Sequence, residues 1–323
     1  MKTDTIYWSD IKPEQVSWLW EPCLPRGKVA LCMGDPGEGK TTYCLAVAAA
    51  LTTGRMLPES AVALEPMSVV FQSAEDGIAD TLLGRFKSLG GDCSKICSIV
   101  DSSCSLSLDD TRIEEVVRGT GAGLVVLDPL QSFLGAGVDM HRANEVRPLM
   151  AKLAAVAERT GCSVLIIGHL NKMATAKGMY RGLGSIDINA AARSIVVVGR
   201  MRDDPETRVA AHLKSSLAPE GQSIAFRLDR DSGFAWVGAV AITADELLSG
   251  VSAGREPTKQ ELALALITEM LTGGEVESNE VLARLQAHGI SKSTYEIVRR
   301  SMCIQSVKRG NVWFSQLPEV SAM

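Results

Sequence analysis

The chain has 323 residues, 46% hydrophobic and 22% charged, enough for one large domain, or a large and a small one, around a sizeable core. Its net charge of −5 does not announce a nucleic-acid binder, so any such contact has to come from local clusters of charge. The apolar stretches are strand-length rather than membrane-length, and residues 1–14 are polar, without the apolar core of a signal peptide; a cytoplasmic protein with no membrane contact is expected.

Residues 29–33 form a short apolar run that reads as a buried strand, and 42–51 are Ala/Leu-rich and read as a helix. Between and across them, Gly34-Asp35-Pro36-Gly37-Glu38-Gly39-Lys40-Thr41-Thr42 fits G-x-x-x-x-G-K-[ST], a phosphate-binding loop. Glycines let the backbone curl so that its N–H groups point at phosphate oxygens, and the following helix start adds partial positive charge. Lys40 can reach β- and γ-phosphates, and the Thr41 hydroxyl can ligate Mg²⁺. ATP and Mg²⁺ are therefore the expected ligands.

Next comes a β-branched run, 67–73, ending in Ala74-Glu75-Asp76-Gly77, followed by helical spacing over 78–89. Residues 96–100 read as a short strand and 111–118 as a short helix. A buried strand at 123–127 ends at Asp128-Pro129, an amphipathic helix spans 144–160, and a buried strand at 163–168 ends at His169. Further strands are expected at 194–198, 208–213, 223–228 and 234–237. Alternating helices and continuously apolar strands predict an α/β fold with a mainly parallel sheet, whose ligands bind at the carboxyl ends of its strands. Lys40, Glu75, Asp128 and His169 all fall at such ends.

Residues 249–258 read as a connecting stretch, placing the α/β domain at 1–250, a linker at 251–258 and a small domain at 259–323. The small domain shows three helices, 259–271, 278–287 and 291–302, and a hairpin at 306–317 around Arg309-Gly310-Asn311, the pattern of a winged helix-turn-helix. Over 284–316 it carries Arg284, Lys292, Arg299, Arg300, Lys308 and Arg309 against Glu296 alone, a basic patch suited to duplex DNA, although many winged helices contact protein instead.

Asp128, on a rigid strand, is placed to hold Mg²⁺. Glu75 is the candidate base that deprotonates the attacking water, with Asp76 as its rival. His169 is placed to sense the γ-phosphate, and Arg85 either touches nucleotide or faces solvent. Phosphoryl transfer often uses an additional cation. Arg200, then Arg193 and Lys214, are the candidates for one that reaches a neighbouring subunit's nucleotide. Two loops follow the site strands, 135–142 and 171–187. The second is Gly-rich and basic, with Lys172, Lys177 and Arg181 against Asp187, and suits a nucleic-acid backbone. Of eight cysteines only Cys93, Cys97 and Cys104 cluster, without a C-x-x-C pair or a fourth ligand, so free thiols are expected rather than zinc.

The set of motifs resembles the RecA-type P-loop ATPases, of the AAA-family ATPases, and within them the hexameric plasmid and phage replication helicases of the RepA kind. The resemblance runs from Trp18 to about Arg230. It rests on Leu-Pro-Arg-Gly-Lys-Val-Ala-Leu before the phosphate loop, Ser-Ala-Glu-Asp-Gly at 73–77, Leu-Val-Val-Leu-Asp-Pro-Leu at 124–130 and Ile-Ile-Gly-His-Leu-Asn-Lys at 166–172. It implies a ring of six subunits, nucleotide between neighbours and central loops gripping one DNA strand, with a primase or initiator as a further candidate partner. By that likeness Glu75 matches the catalytic carboxylate, Asp128 the Mg²⁺ residue, His169 the γ-phosphate sensor and Arg200 the trans-acting arginine. DnaB-like relatives carry Lys-x-Arg after a late strand; here Lys214 is followed by Ser215-Ser216. The function this implies is an ATP-driven translocase or helicase on single-stranded DNA in plasmid or phage replication. A DNA-binding regulator or loader switched by ATP is the alternative, and a small-molecule phosphotransferase lacks an evident lid.

Overall fold

Strands that are apolar at every position need cover on both faces, and the chain supplies it. The computed structural model describes residues 6–61, 63–100, 105–135, 137–140, 142–170, 186–229, 233–249, 259–272, 274–302, 304–310 and 312–316. They divide between two compact units, Met1–Ala253 and Gly254–Met323.

In the first unit a small antiparallel pair, β1 (Trp18–Trp20) and β2 (Leu24–Pro25), precedes a nine-stranded sheet. The sheet strands are β3 (Val29–Gly34), β4 (Val69–Ser73), β5 (Ile96–Cys97), β6 (Leu124–Asp128), β7 (Ser163–His169), β8 (Ser194–Arg200), β9 (Thr207–Ser215), β10 (Ser223–Asp229) and β11 (Gly233–Val240). Their spatial order is β11-β10-β9-β8-β3-β7-β6-β4-β5. From β8 to β5 every pairing is parallel, whereas β8–β9, β9–β10 and β10–β11 are antiparallel. The fold is therefore α/β with a mainly parallel sheet.

Alternation along each strand sorts its side chains into two cores. Val29, Leu31 and Met33 pack on one face with α3 (Thr111–Thr120), α4 (Ala143–Thr160), α5 (Ile186–Ala191) and α6 (Ala244–Ser249). Ala30 and Cys32 pack on the other with α1 (Lys40–Thr53) and α2 (Leu83–Ser88). α1 is buried from Tyr43 to Thr52, which its unbroken apolar sequence requires. Its Tyr43 packs against Phe226 and Trp236, and Phe234 meets Trp236 edge-to-face at 4.8 Å.

The helix expected over 78–89 differs in detail: a π-helical turn, Ile78–Leu82, feeds into α2. The sheet-edge strand expected over 96–100 is two residues long. α5, α6 and the β1–β2 pair carried no distinct periodic signal. Among the described residues no helix is long and apolar enough to cross a membrane.

The second unit runs α7 (Lys259–Thr272), β12 (Val276–Glu277), α8 (Ser278–Ala287), α9 (Lys292–Ser301), β13 (Gln305–Arg309) and β14 (Val312–Gln316), with strands ordered β12-β14-β13. Its core holds Ala263, Ile267, Leu271, Val281, Leu285, Tyr295 and Val298. Ser291 lies one residue before α9 and caps it by accepting from Thr294 N. Three of the six basic residues counted over 284–316 have carboxylate partners: Arg284 with Glu269, Arg299 with Glu296 and Arg309 with Glu275. Two of those acids lie outside that window, so the patch is less positive than its local sequence. The expected linker at 251–258 and Asn311 of the hairpin lie outside the described residues.

Candidate active site

The site grows from the end of β3. Gly34 closes that strand with no room for a side chain, since a Cβ there would collide with the Val198 backbone carbonyl of β8. The loop then turns through Asp35, Pro36, Gly37 and Glu38 to Gly39, which caps α1 at φ +89°, a conformation that favours glycine. Around this loop lies a cleft of about 740 Å³ lined by Pro36, Gly37, Gly39, Lys40, Thr41, Thr42, Glu75, Arg85, Asp128, His169, Leu228 and Asp229. A larger hollow, about 850 Å³, is lined by Glu220, Asp245 and Glu246 among others, and its acidic lining suits no phosphate.

Lys40 is buried, and its Nζ donates to the Asp35 carbonyl at 2.8 Å. It also lies 3.2 Å from His169 Nδ1. With Lys40 as an ammonium, Nδ1 accepts and the imidazole proton sits on Nε2, which faces Glu75 Oε1 at 3.8 Å. Burial, reinforced by the Lys40 charge, holds His169 below its ordinary pKa, so the ring is neutral near pH 7. Glu75 is exposed to the cleft. Asp76 is instead tied to Arg85 at 3.0 Å.

Parallel pairing of β6 with β4 sets Ser73 beside Asp128 and brings both strand ends to the cleft floor. Asp128 is 3% exposed, and the Thr41 hydroxyl donates to its Oδ2 at 2.7 Å. Burial pushes the Asp128 carboxyl up to about 6, against the downward pull of the Thr41 bond, with Glu75 and Asp76 adding repulsion. A buried carboxylate beside a hydroxyl fits a hard divalent cation that takes oxygen ligands. The residues present therefore fit Mg²⁺.

The remaining expected cations separate. Arg200 ends β8 at the cleft end of the sheet and donates from Nη2 to the Gly37 carbonyl of its own loop at 3.2 Å, with Nε 3.8 Å from Glu38. Arg193 precedes β8 and so lies at the opposite, amino end of the parallel strands. Lys214 is paired with Ile195 at that same far end, its Nζ held by the Asn189 and Ala192 carbonyls at 2.7 and 2.8 Å. Neither is brought to the phosphate loop of its own chain. The basic residues Lys172, Lys177 and Arg181 lie outside the described residues.

Residues 2–175, more than half of the chain, match the family model described as AAA domain. The chain belongs to the AAA-domain family. The DNA repair protein RadA of Bacillus subtilis (strain 168) is 25% identical over 155 residues, covering 47% of this AAA-domain chain and 30% of the relative. RadA of Brucella abortus (strain 2308) is 26% identical over 157 residues, 46% of this chain and 29% of the relative. The AAA-domain chain thus spans under a third of the length of these curated relatives. A solved ATPase domain matches with a TM-score of 0.51 at 16% identity, covering 67% of this chain and 86% of that one, a likeness of fold. The family makes this AAA-domain chain a P-loop ATPase, and its fold is RecA-like.

Sequence reasoning missed Arg208, Leu228 and Asp229 of the AAA-domain site. Arg208 is 7% exposed, and its Cδ would lie 3.2 Å from a Cβ at Gly39. One signal was available: an arginine near the start of a strand, on the same face as buried Ala210.

Proposed function

We propose that this AAA-domain ATPase binds Mg·ATP in the 740 Å³ cleft, hydrolyses it and uses the cycle to move along single-stranded DNA. One observation carries the chemical half: the contact series Asp35–Lys40–His169–Glu75 across the strand ends, beside the Thr41–Asp128 pair.

In this reading the backbone N–H groups of 36–41 receive phosphate oxygens and Lys40 reaches the β- and γ-phosphates. Thr41 and Asp128 hold Mg²⁺, which when bound neutralises charge building on the β- and γ-oxygens. Glu75, free of the arginine that holds Asp76, orients the water and takes its proton. Neutral His169, touching both Lys40 and Glu75, registers whether the γ-phosphate is present. The strand ends bearing Asp128 and His169 lead into the loops through which such a signal reaches DNA.

The DNA half is supported by the relatives' name, DNA repair protein, while the fold shared with a solved ATPase domain supports the hydrolysis that drives it. A homo-hexamer with nucleotide between subunits, and a primase or initiator partner, belong to the same reading. The order helix, strand, helix, helix, hairpin in the second unit supports a winged helix-turn-helix there, and with it a second reading, a regulator or loader on duplex DNA that does not unwind. Measuring ATPase rate with and without single-stranded DNA, alongside native mass, separates them. Strong stimulation and a ring favour the motor. A weak response with protection of one duplex sequence favours the regulator, and a monomer indifferent to all DNA removes both.

A further inference from the structure

Arg200 and Arg208 face each other directly across the β8–β9 ladder. Strand alternation from Val198 and Ala210, both in the α1-side core, points the two arginines to the side of the sheet that carries the phosphate loop. Like charges at directly opposed positions repel. What lies between them is the loop itself. Glu38 is 3.8 Å from Arg200 Nε, and Arg200 Nη2 donates to the neighbouring Gly37 carbonyl. Arg208 Nη1 is fixed by three carbonyls, those of Pro205, Glu206 and Leu228, while its side chain lies against Gly39. Burial and the Arg200 charge pull the Arg208 pKa down, and Glu38 opposes them. Two buried polar atoms here lack a hydrogen-bond partner among the described residues: Glu38 Oε2, an acceptor, and Arg208 Nε, a donor.

We propose that Arg200 is a positioning residue acting in cis: with Glu38 as the counter-charge shared by Arg200 and Arg208, it braces residues 37–39 from below and sets the phosphate loop for triphosphate. This rests on the reading of that loop as the nucleotide site. It differs from the role expected for Arg200 from sequence, a charge delivered to a neighbour's nucleotide. A brace differs from a transition-state contact in what it changes. It fixes the geometry of a loop that holds ground state and transition state alike, so its loss raises KM and Kd more than it lowers kcat.

The experiment compares full-length wild type, Arg200→Ala, Arg200→Lys, Glu38→Gln and the Arg200→Ala/Glu38→Gln double variant, with Lys40→Ala as control. Arg200 is 43% exposed, so its replacement spares the core. Binding is read with mant-ATP and Mg²⁺, and turnover as kcat and KM. Arg200→Ala is expected to weaken mant-ATP binding about tenfold, the scale of one charge-assisted hydrogen bond. Its kcat should stay within about threefold, and Arg200→Lys should recover part of the binding. The double variant should lose less than the two single losses added together, because both singles remove the Arg200–Glu38 contact. When Arg200→Ala is mixed into wild type, activity should fall linearly with its fraction. A kcat loss above a hundredfold at unchanged KM, with mixing that poisons wild type more steeply than its fraction, would overturn the cis role. Additive effects in the double variant would overturn the shared counter-charge. If Lys40→Ala binds mant-ATP like wild type, the nucleotide-site reading itself has failed; if Lys40→Ala loses binding and Arg200→Ala keeps it, the brace alone has failed.

Discussion

The hydroxyl of Thr41 donates to Asp128 at 2.7 Å and so joins the first turn of α1 to the tip of β6, 87 residues further along the chain. Both oxygens belong to groups expected to hold Mg²⁺, and each keeps the other in place. Thr41→Ala should weaken ATP binding in the presence of Mg²⁺ by tenfold or more and change binding in EDTA much less. Calorimetry in the two buffers checks this, and equal losses in both would remove Thr41 from the metal.

Lys40→Ala should abolish hydrolysis. It should also raise the His169 pKa, because after burial the Lys40 charge is the largest influence holding that pKa down. NMR titration of the His169 ring reads the shift directly. An unmoved pKa would mean that the 3.2 Å contact is not kept in solution.

Glu75→Gln should bind ATP normally and turn over 10²–10⁴-fold more slowly, the usual contribution of a general base. Asp76→Asn should keep most of the activity, since the Asp76 carboxylate is bound to Arg85. Single-turnover rates decide between them; the reverse ranking would transfer the role to Asp76.

Two glycines of one loop should tolerate a methyl group differently. Gly34→Ala pushes a Cβ into the Val198 carbonyl, whereas at Gly37 nothing lies within 4 Å and only the φ of +80° is strained. Gly34→Ala should therefore lower the melting temperature more, because its Cβ meets a backbone carbonyl that cannot turn aside, an overpacking at or above the upper end of about 1–3 kcal/mol, whereas Gly37→Ala carries only backbone strain of about 1–3 kcal/mol. Equal melting points would mean that β3 and β8 are not as close as the sheet pairing requires.

Acid should destabilise the first unit through His212. This ring is 8% exposed; its Nδ1 accepts from Gly221 N at 3.0 Å and its Nε2 lies 2.9 Å from Ser194 Oγ. Burial lowers its pKa from 6.5 to about 4. The unfolded chain takes up this proton first, so the stabilisation is whole above pH 6.5 and fades as pH falls towards 4, by about 3 kcal/mol in all. Urea titrations between pH 7 and 4 should show a drop that is shallower in His212→Asn. Parallel slopes would assign acid sensitivity to other groups.

Much of the candidate site was legible because its parts are local. An apolar run, a Gly-rich loop and a helix identify Lys40 and Thr41, and three continuous apolar strands deliver Glu75, Asp128 and His169 to a common end. Strand direction was not legible. Lys214 follows an apolar run just as His169 does, but β9 is antiparallel to β8, which places Lys214 away from its own chain's cleft, a placement separate from the role expected for it at a neighbour's nucleotide. Arg193 sits ahead of a parallel strand and likewise lies away from its own chain's cleft. The choice between Glu75 and Asp76 was equally hidden, because it depends on where Arg85 of α2 reaches. In the second unit, charge counted along a window overlooked Glu269 and Glu275, which only folding brings to Arg284 and Arg309.

The reversal at β8–β9 changes where sequence change matters. On the parallel side of the sheet, the candidate residues Asp128 and His169 are the last of their strands. Beyond the reversal the rule alternates: Arg208 stands near the beginning of β9 and Asp229 at the close of β10. A mutational scan of this protein that tracks strand polarity will look for sensitive positions at opposite tips of neighbouring strands there.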